Sequence, residues 1–366
     1  MNNIETGEIS QYQFLLLIIG YCESALFVGS FVTNLVKNNS WLVILTGLFL
    51  IAPFVWIYGW LAEHFSGYNL ARLNEAIYGR YLGPAVSLMY IFYIFLFFSA
   101  TTNHVGNFYI AYFMPDTPIE ALLIVFTFTT AYAALNGIEV LARICTIIVV
   151  IVFGIVIITF LLLLPQMNWV NLLPVGEVSL PKLIHATVVM AMFLFGTIVF
   201  IMTTLPFALN NPRQTTRTAF NGILISAFFF LLSAIRNTTV LGPTEAVLKT
   251  PAFGVVRMIN YGFLSRLDIL FALGHTLAYF MNLSLLFYGG IILCAQLLRI
   301  NTYKPLIFPL ACISIVTEAV IYPSFELEQK AVQGGPSLLL ALYIFILPLL
   351  SMVITFIRKL PKKGTA

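Results

Sequence analysis

The sequence predicts an all-α integral membrane protein of ten transmembrane helices, built as two five-helix repeats of inverted topology with helices 1 and 6 discontinuous. Three observations carry that prediction. Apolar residues make up 60% of the 366-residue chain and charged residues 9%, against about 45–50% and 25% in soluble domains. Ten runs approach or exceed the length needed to cross a hydrocarbon core, near 13–36, 41–61, 85–113, 119–135, 144–164, 185–208, 220–241, 268–298, 305–322 and 336–357. Lipid offers no partner for an open backbone, so each run reads as a helix. Finally, the first and sixth runs carry helix-weakening residues at matching depth.

Span one contains "GYCESALFVG" (20–29), with Glu23 near its middle and Gly20 and Gly29 on either side. A charge at the centre of a span costs at least about 2.5–3.5 kcal/mol, and intramembrane acids are functional by default. Glycine weakens a helix interior. The spacing therefore predicts an unwound segment, Gly20, Tyr21, Cys22, Glu23 and Ser24, whose free backbone groups coordinate a polar ligand. In it, Glu23 binds a ligand ammonium group or exchanges a proton; the plainer reading is a packing glycine and an uncharged acid.

After span two, residues 62–83 place Leu70, Leu73, Ile77 and Tyr81 at helical spacing, as in an amphipathic helix lying at the membrane surface. Spans three and eight are long enough to tilt, and spans four and nine are short. Span three brings Tyr93, Thr101, Asn103 and His104 to membrane depth, and span eight brings His275, Tyr279 and Asn282. His104 and His275 are candidates to face a central cavity. Thr101, Asn103, Tyr93, Tyr279 and Asn282 are candidates for hydroxyl or amide contacts there, with Thr101 and Tyr279 the expected ligand contacts. Each taken singly reads first as an interhelical hydrogen bond. Asp268 and Arg266 read as an interfacial pair at the entry to span eight. Glu318 reads as a snorkelling acid near the end of span nine. "TEAVLKTPAFGVVRMI" (244–259) reads as a loop helix, and phenylalanine mostly as lipid-facing filler.

The longest polar connection before the midpoint, residues 165–182, separates spans five and six. Repeat one then covers about 13–164 and repeat two about 185–357, followed by a basic cytoplasmic tail at 358–366. An odd-numbered repeat inverts on duplication. Span six reads "HATVVMAMFLFGTIVFIMTTLPFAL", with Gly196 and Thr197 near its middle and Pro206 late. Broken helices at corresponding positions of two halves point to a substrate site between them. Counting Lys and Arg with both termini inside gives eleven on inner loops and tail against six outside, with Arg236 near an outer end. That bias supports cytoplasmic termini.

Other classes are excluded or disfavoured. The net charge of +4 is small and scattered, so nucleic acid is not an expected partner. No cleavable signal peptide is expected. Cys22, Cys145, Cys294 and Cys312 all fall in apolar runs without metal or disulfide spacing. No catalytic motif or phosphate loop is present, and neither an enzyme nor a cofactor is expected.

The order and spacing of these features resemble the spore germination receptor B subunits, the endospore germination permeases of the amino acid–polyamine–organocation superfamily. The resemblance runs from "ETGEISQYQF" through "FLFGTIVFIMTTLPFALNN", "VLGPTEAVLKTPAFGVVRMI" and "FLSRLDILFALGHTLAYF" to the tail "RKLPKKGTA". It implies a LeuT-like five-plus-five inverted repeat in the spore inner membrane. It also implies a role in sensing a small nutrient, typically an amino acid, together with an A subunit and a lipoprotein C subunit. Two departures stand out. Many relatives have Gly-Glu where this chain has Gly196-Thr197, and a Leu-Pro after the span-one break where it has Glu23 and "LFVG". An autonomous proton- or sodium-coupled transporter of amino acids or amines shares the same midplane site.

Overall fold

The protein is described by a computed structural model covering residues 7–27, 33, 35–260, 267–322 and 325–360. Its helices are α1 (Gln11–Glu23), α2 (Ser40–His64), α3 (Leu70–Tyr112), α4 (Ile119–Leu135), α5 (Gly137–Leu163), α6 (Leu180–Met190) and α7 (Val199–Thr204). They continue as α8 (Thr215–Leu241), α9 (Pro251–Arg257), α10 (Asp268–Leu297), α11 (Lys304–Ile321), α12 (Phe325–Gln333), α13 (Gly335–Ala341) and α14 (Leu347–Arg358). Among the described residues, eight helical stretches are long and apolar enough to cross a membrane, and α4 is a shorter apolar helix.

The first span begins with a complete cap. The Ser10 hydroxyl accepts from the Gln13 amide at 3.2 Å, and the Gln13 side chain accepts from the Ser10 amide at 2.8 Å. This reciprocal arrangement satisfies two of the amides that open a helix without partners. Just before it, Ile9 pairs with the chain after α7: its amide donates to the Ala208 carbonyl at 2.9 Å, and its carbonyl accepts from Asn210. The start of span one is thereby tied to the end of span six. α1 ends at Glu23 and tightens into a 3₁₀ turn at Ser24–Phe27. Gly29, expected on the far side of the break, lies outside the described residues.

Span six also departs from α geometry at the expected place, but it stays helical. α6 widens into a π turn at Ala191–Phe195, tightens into a 3₁₀ turn at Gly196–Ile198, and resumes as α7. A matching π turn at Leu342–Ile346 joins α13 to α14. The carbonyl of Ile344 within it accepts the Tyr58 hydroxyl at 2.5 Å, as expected where a wide turn disturbs the helix's own ladder.

Packing sorts the helices by depth. The most apolar stretch of α10 is 89% buried and that of span six 72%, whereas α11 is only 22% buried. α10 packs against α1, α3, α4 and α5, so it forms the centre, and α11 lies outside against α3 and α4. Close approaches are made at glycines. A Cβ on Gly20 would sit 2.4 Å from the Cys145 sulfur, and one on Gly59 would sit 2.5 Å from the Thr216 Cα. Small residues allow such crossings in a membrane, where no hydrophobic force drives helices together.

Several details differ from the sequence reading. Gly79, at φ 89°, kinks α3; the amphipathic face runs through buried Leu70 and Ile77, but Tyr81 beyond the kink is 86% exposed. Glu318 does not snorkel. It is fully buried, and both carboxylate oxygens take the Thr127 hydroxyl, at 2.8 and 2.9 Å. Phenylalanine fills the interior as well as facing lipid, with Phe14, Phe98, Phe195, Phe200 and Phe287 fully buried. Asp268 opens α10 with one buried carboxylate oxygen lacking a hydrogen bond, and its expected partner Arg266 lies outside the described residues. The loop helix after span seven is present as α9.

Candidate functional site

A cavity of about 130 Å³ opens where the end of α1 and the π and 3₁₀ turns of span six meet α3, α10 and α12. Its wall is mainly apolar and aromatic, with Tyr93, Phe97, Phe193 and Leu339 among its residues. Polar groups converge from α1 (Tyr21, Cys22) and the turn after it (Ser24), α3 (Thr101, His104), span six (Thr197), α10 (Tyr279, Asn282), Tyr322 and α12 (Glu328). A mostly apolar cavity with a few convergent polar groups is the usual form of a small-molecule site.

Local structure explains how these groups are placed. A helix end leaves carbonyls without internal partners. At the end of α1 the Tyr21 carbonyl accepts the Asn282 side-chain amide at 2.9 Å and the Ser24 hydroxyl at 3.2 Å. Asn282 therefore joins the central helix to the point where α1 stops. Thr101 lines the cavity and turns its hydroxyl back to the Phe97 carbonyl at 2.8 Å.

Toward the end formed by α12, His104 Nδ1 lies 2.7 Å from Glu328 Oε1, and both side chains are largely buried. The His104 ring sits 5.6 Å from that of Tyr279, which in turn lies 4.6 Å from His275. His275 stacks on Phe108 at 4.1 Å, away from the cavity lining. Glu328 Oε2, the Tyr279 hydroxyl and Asn282 Oδ1 are buried without a hydrogen bond. The Tyr21 hydroxyl is a fourth such atom on a lining residue. Buried polar atoms are nearly always paired, so these orphans mark a place for an occupant.

Of the nine residues expected at the site, Tyr21, Cys22, Ser24, Thr101, Thr197 and Tyr279 line this cavity, and Gly20, Glu23 and Gly196 do not. Gly20 packs against Cys145, and a Cβ on Gly196 would meet Ile344 at 2.7 Å. Both are close-approach glycines. Glu23 is 1% exposed, and neither of its carboxylate oxygens has a hydrogen bond. Its neighbours Tyr21, Cys22, Ser24 and Ala25 line the cavity, while the Glu23 side chain is directed elsewhere in the interior. Asn103 points to the other side of α3, where its amide donates to the Glu318 carbonyl at 2.9 Å.

Glu328 and Tyr322 were missed. The signal for Glu328 was available, because Glu328, Ala331 and Val332 follow helical spacing and all three line the cavity. Among the described residues, no group of His, Cys, Asp and Glu side chains is arranged to hold a metal ion.

The profile of the spore germination protein family matches residues 8–326. Spore germination protein KB of Bacillus subtilis (strain 168) is 22% identical over 88% of this chain and 87% of its own length. Spore germination protein YndE of the same organism is 23% identical over 98% and 99%. In three dimensions the chain resembles MhsT, solved in complex with L-phenylalanine, with a TM-score of 0.66 at 13% identity over 96% of this chain and 99% of that one. It also resembles Mhp1, a nucleobase-cation-symport-1 family transporter, with a TM-score of 0.60 at 12% identity over 98% and 86%. These likenesses give the all-helical, LeuT-like transporter fold. With that fold and a match across most of its length, the chain belongs to the spore germination protein family.

Proposed function

We propose that this protein is the permease-like subunit of a germinant receptor, multi-pass in the spore inner membrane, and that it binds a small nutrient such as an amino acid in the cavity described above. Acting with A- and C-type subunits, the occupied protein triggers germination. The observation that carries the reading is the position of the cavity. It lies where α1 stops and span six changes helical form, with orphan polar atoms on its wall. Binding at such a place can favour one arrangement of the two segments over another, and a ligand shifts a conformational equilibrium only through such a difference in affinity. Family membership supports germination as the output.

Deleting the gene and scoring spore germination against a panel of amino acids and sugars tests the reading. The expected result is loss of response to one nutrient class with the others intact. Unchanged responses across the panel would reject it.

A second reading, an autonomous proton- or sodium-coupled transporter, is favoured by the transporters that share the fold. It requires uptake by the chain alone, reconstituted in vesicles, without partner subunits.

A further inference from the structure

The chemistry of the cavity wall narrows the ligand class. Among the described residues, no Lys or Arg lines the cavity, and Glu328 is the one Asp or Glu that does. Glu23 is absent from the lining, and so is Glu318. The charge on the wall is therefore set by Glu328 together with its neighbour His104. Glu328 comes from α12, the polar helix between α11 and the last span, not from the broken spans in which the sequence placed an acid.

Glu328 is only partly satisfied. Its Oε1 is held by His104 Nδ1 at 2.7 Å, while its Oε2 is buried and has no partner. The residue as a whole is 5% exposed. An unpaired buried carboxylate oxygen is costly, and a positively charged donor compensates it better than a neutral one. The surroundings also favour a cation. Tyr279 and Tyr322 line the same cavity, joined by Tyr93 and Phe97, and aromatic faces attract ammonium groups within about 6 Å. Asn282 Oδ1 adds a further acceptor without a hydrogen bond. An anionic group, by contrast, would find no Lys or Arg among the described residues of this wall.

From this we propose that Glu328 is the specificity-determining residue of the cavity, and that it selects ligands carrying a protonated amine, with the ammonium group donating to Glu328 and the aromatic wall covering the rest of the molecule. The inference rests on the cavity being the nutrient site. It adds that the ligand is anchored from α12, the helix that carries Glu328.

The purified full-length chain in detergent, followed by thermal unfolding, tests this with three probes of similar size: 2-phenylethylammonium, 2-phenylethanol and 3-phenylpropionate. The wild-type protein is expected to be stabilised by the ammonium compound at concentrations roughly tenfold to a hundredfold below those needed for the alcohol, the range of a charge-assisted hydrogen bond. Phenylpropionate is expected to be weakest. Glu328→Gln keeps the size of the side chain and its contact with His104 but removes the charge. It should erase the preference for the ammonium compound while leaving the alcohol's half-saturation within about twofold.

Equal half-saturation for the ammonium compound and the alcohol in wild type would overturn the proposal. So would a preference surviving in Glu328→Gln, or no stabilisation by the ammonium compound. Sodium and potassium chloride at matched ionic strength form a further arm; displacement of the amine by either would assign the subsite to inorganic cations and overturn amine selection. Binding of the alcohol without discrimination would leave the cavity reading standing, so the two failures are distinguishable.

Discussion

Glu23 and Gly196 are the residues whose chemistry drew most attention in the sequence, and both turn away from the cavity. The Glu23 carboxylate makes no hydrogen bond that a substitution could remove, and an unpaired buried charge costs free energy when it forms. Glu23→Gln is therefore expected to leave the germination dose–response within about twofold of wild type at unchanged membrane level. A loss of tenfold or more would show that Glu23 reaches the ligand in another arrangement of α1. Gly196 fails differently. Its missing Cβ leaves room for Ile344, which would lie 2.7–2.8 Å from it. Gly196→Leu should lower membrane abundance before it alters ligand response, because overpacking typically costs about 1–3 kcal/mol. Quantitative immunoblotting of spore membranes checks this; full abundance with abolished response would return Gly196 to the ligand. Polar lining residues within the long spans, such as Tyr21, Thr101 and Tyr279, were legible because each interrupts an apolar run, whereas Tyr322 and Glu328 were not. Glu23 was misplaced because sequence gives the depth of a residue in a span, whereas its direction depends on a rotation of about 100° per position.

At the scale of elements, the legible features were those with a strong local cause. The amphipathic stretch after α2 and the loop helix α9 follow from apolar spacing and proline, whereas the Ser10 cap of α1 and the Gly79 kink emerged only in the structure. The form of the span-six break was not legible. Gly196, Thr197 and Pro206 signalled a weak helix, but the observed combination of a π turn and a 3₁₀ turn depends on contacts with α2 and the Leu342–Ile346 turn. α12 escaped the reading because its helical spacing, Glu328 to Ala331 and Val332, covers a single turn of a short polar helix. Glu318 shows the same limit, since its partner Thr127 lies on α4, far away in sequence. Thr127→Val would strip the donor from both oxygens of a fully buried carboxylate. A loss of about 1–3 kcal/mol is expected for a buried group left unsatisfied, read as a lower thermal midpoint of the purified protein. An unchanged midpoint would show that the α4–α11 contact does not depend on this bond.

Across the whole molecule, the solvent determined what could be known early. A chain that is 60% apolar has few soluble alternatives, and the requirement that membrane spans satisfy their own backbones leaves helices as the answer. Which helix occupies the centre was less visible: α10 and α11 are both apolar, yet one is almost wholly buried and the other mostly exposed. That arrangement puts the cavity beside the central helix, bounded by the two spans that depart from α geometry. Thr101 offers the most direct access to it. Its hydroxyl bonds only within α3, to the Phe97 carbonyl, and its side chain lines the cavity. Thr101→Trp places an indole in the proposed ligand space while disturbing no bond between helices. In spores with matched membrane levels of the two proteins, the variant is predicted to shift the nutrient dose–response by at least about tenfold, or to abolish it. A dose–response superimposable on wild type would contradict the assignment of this cavity as the nutrient site.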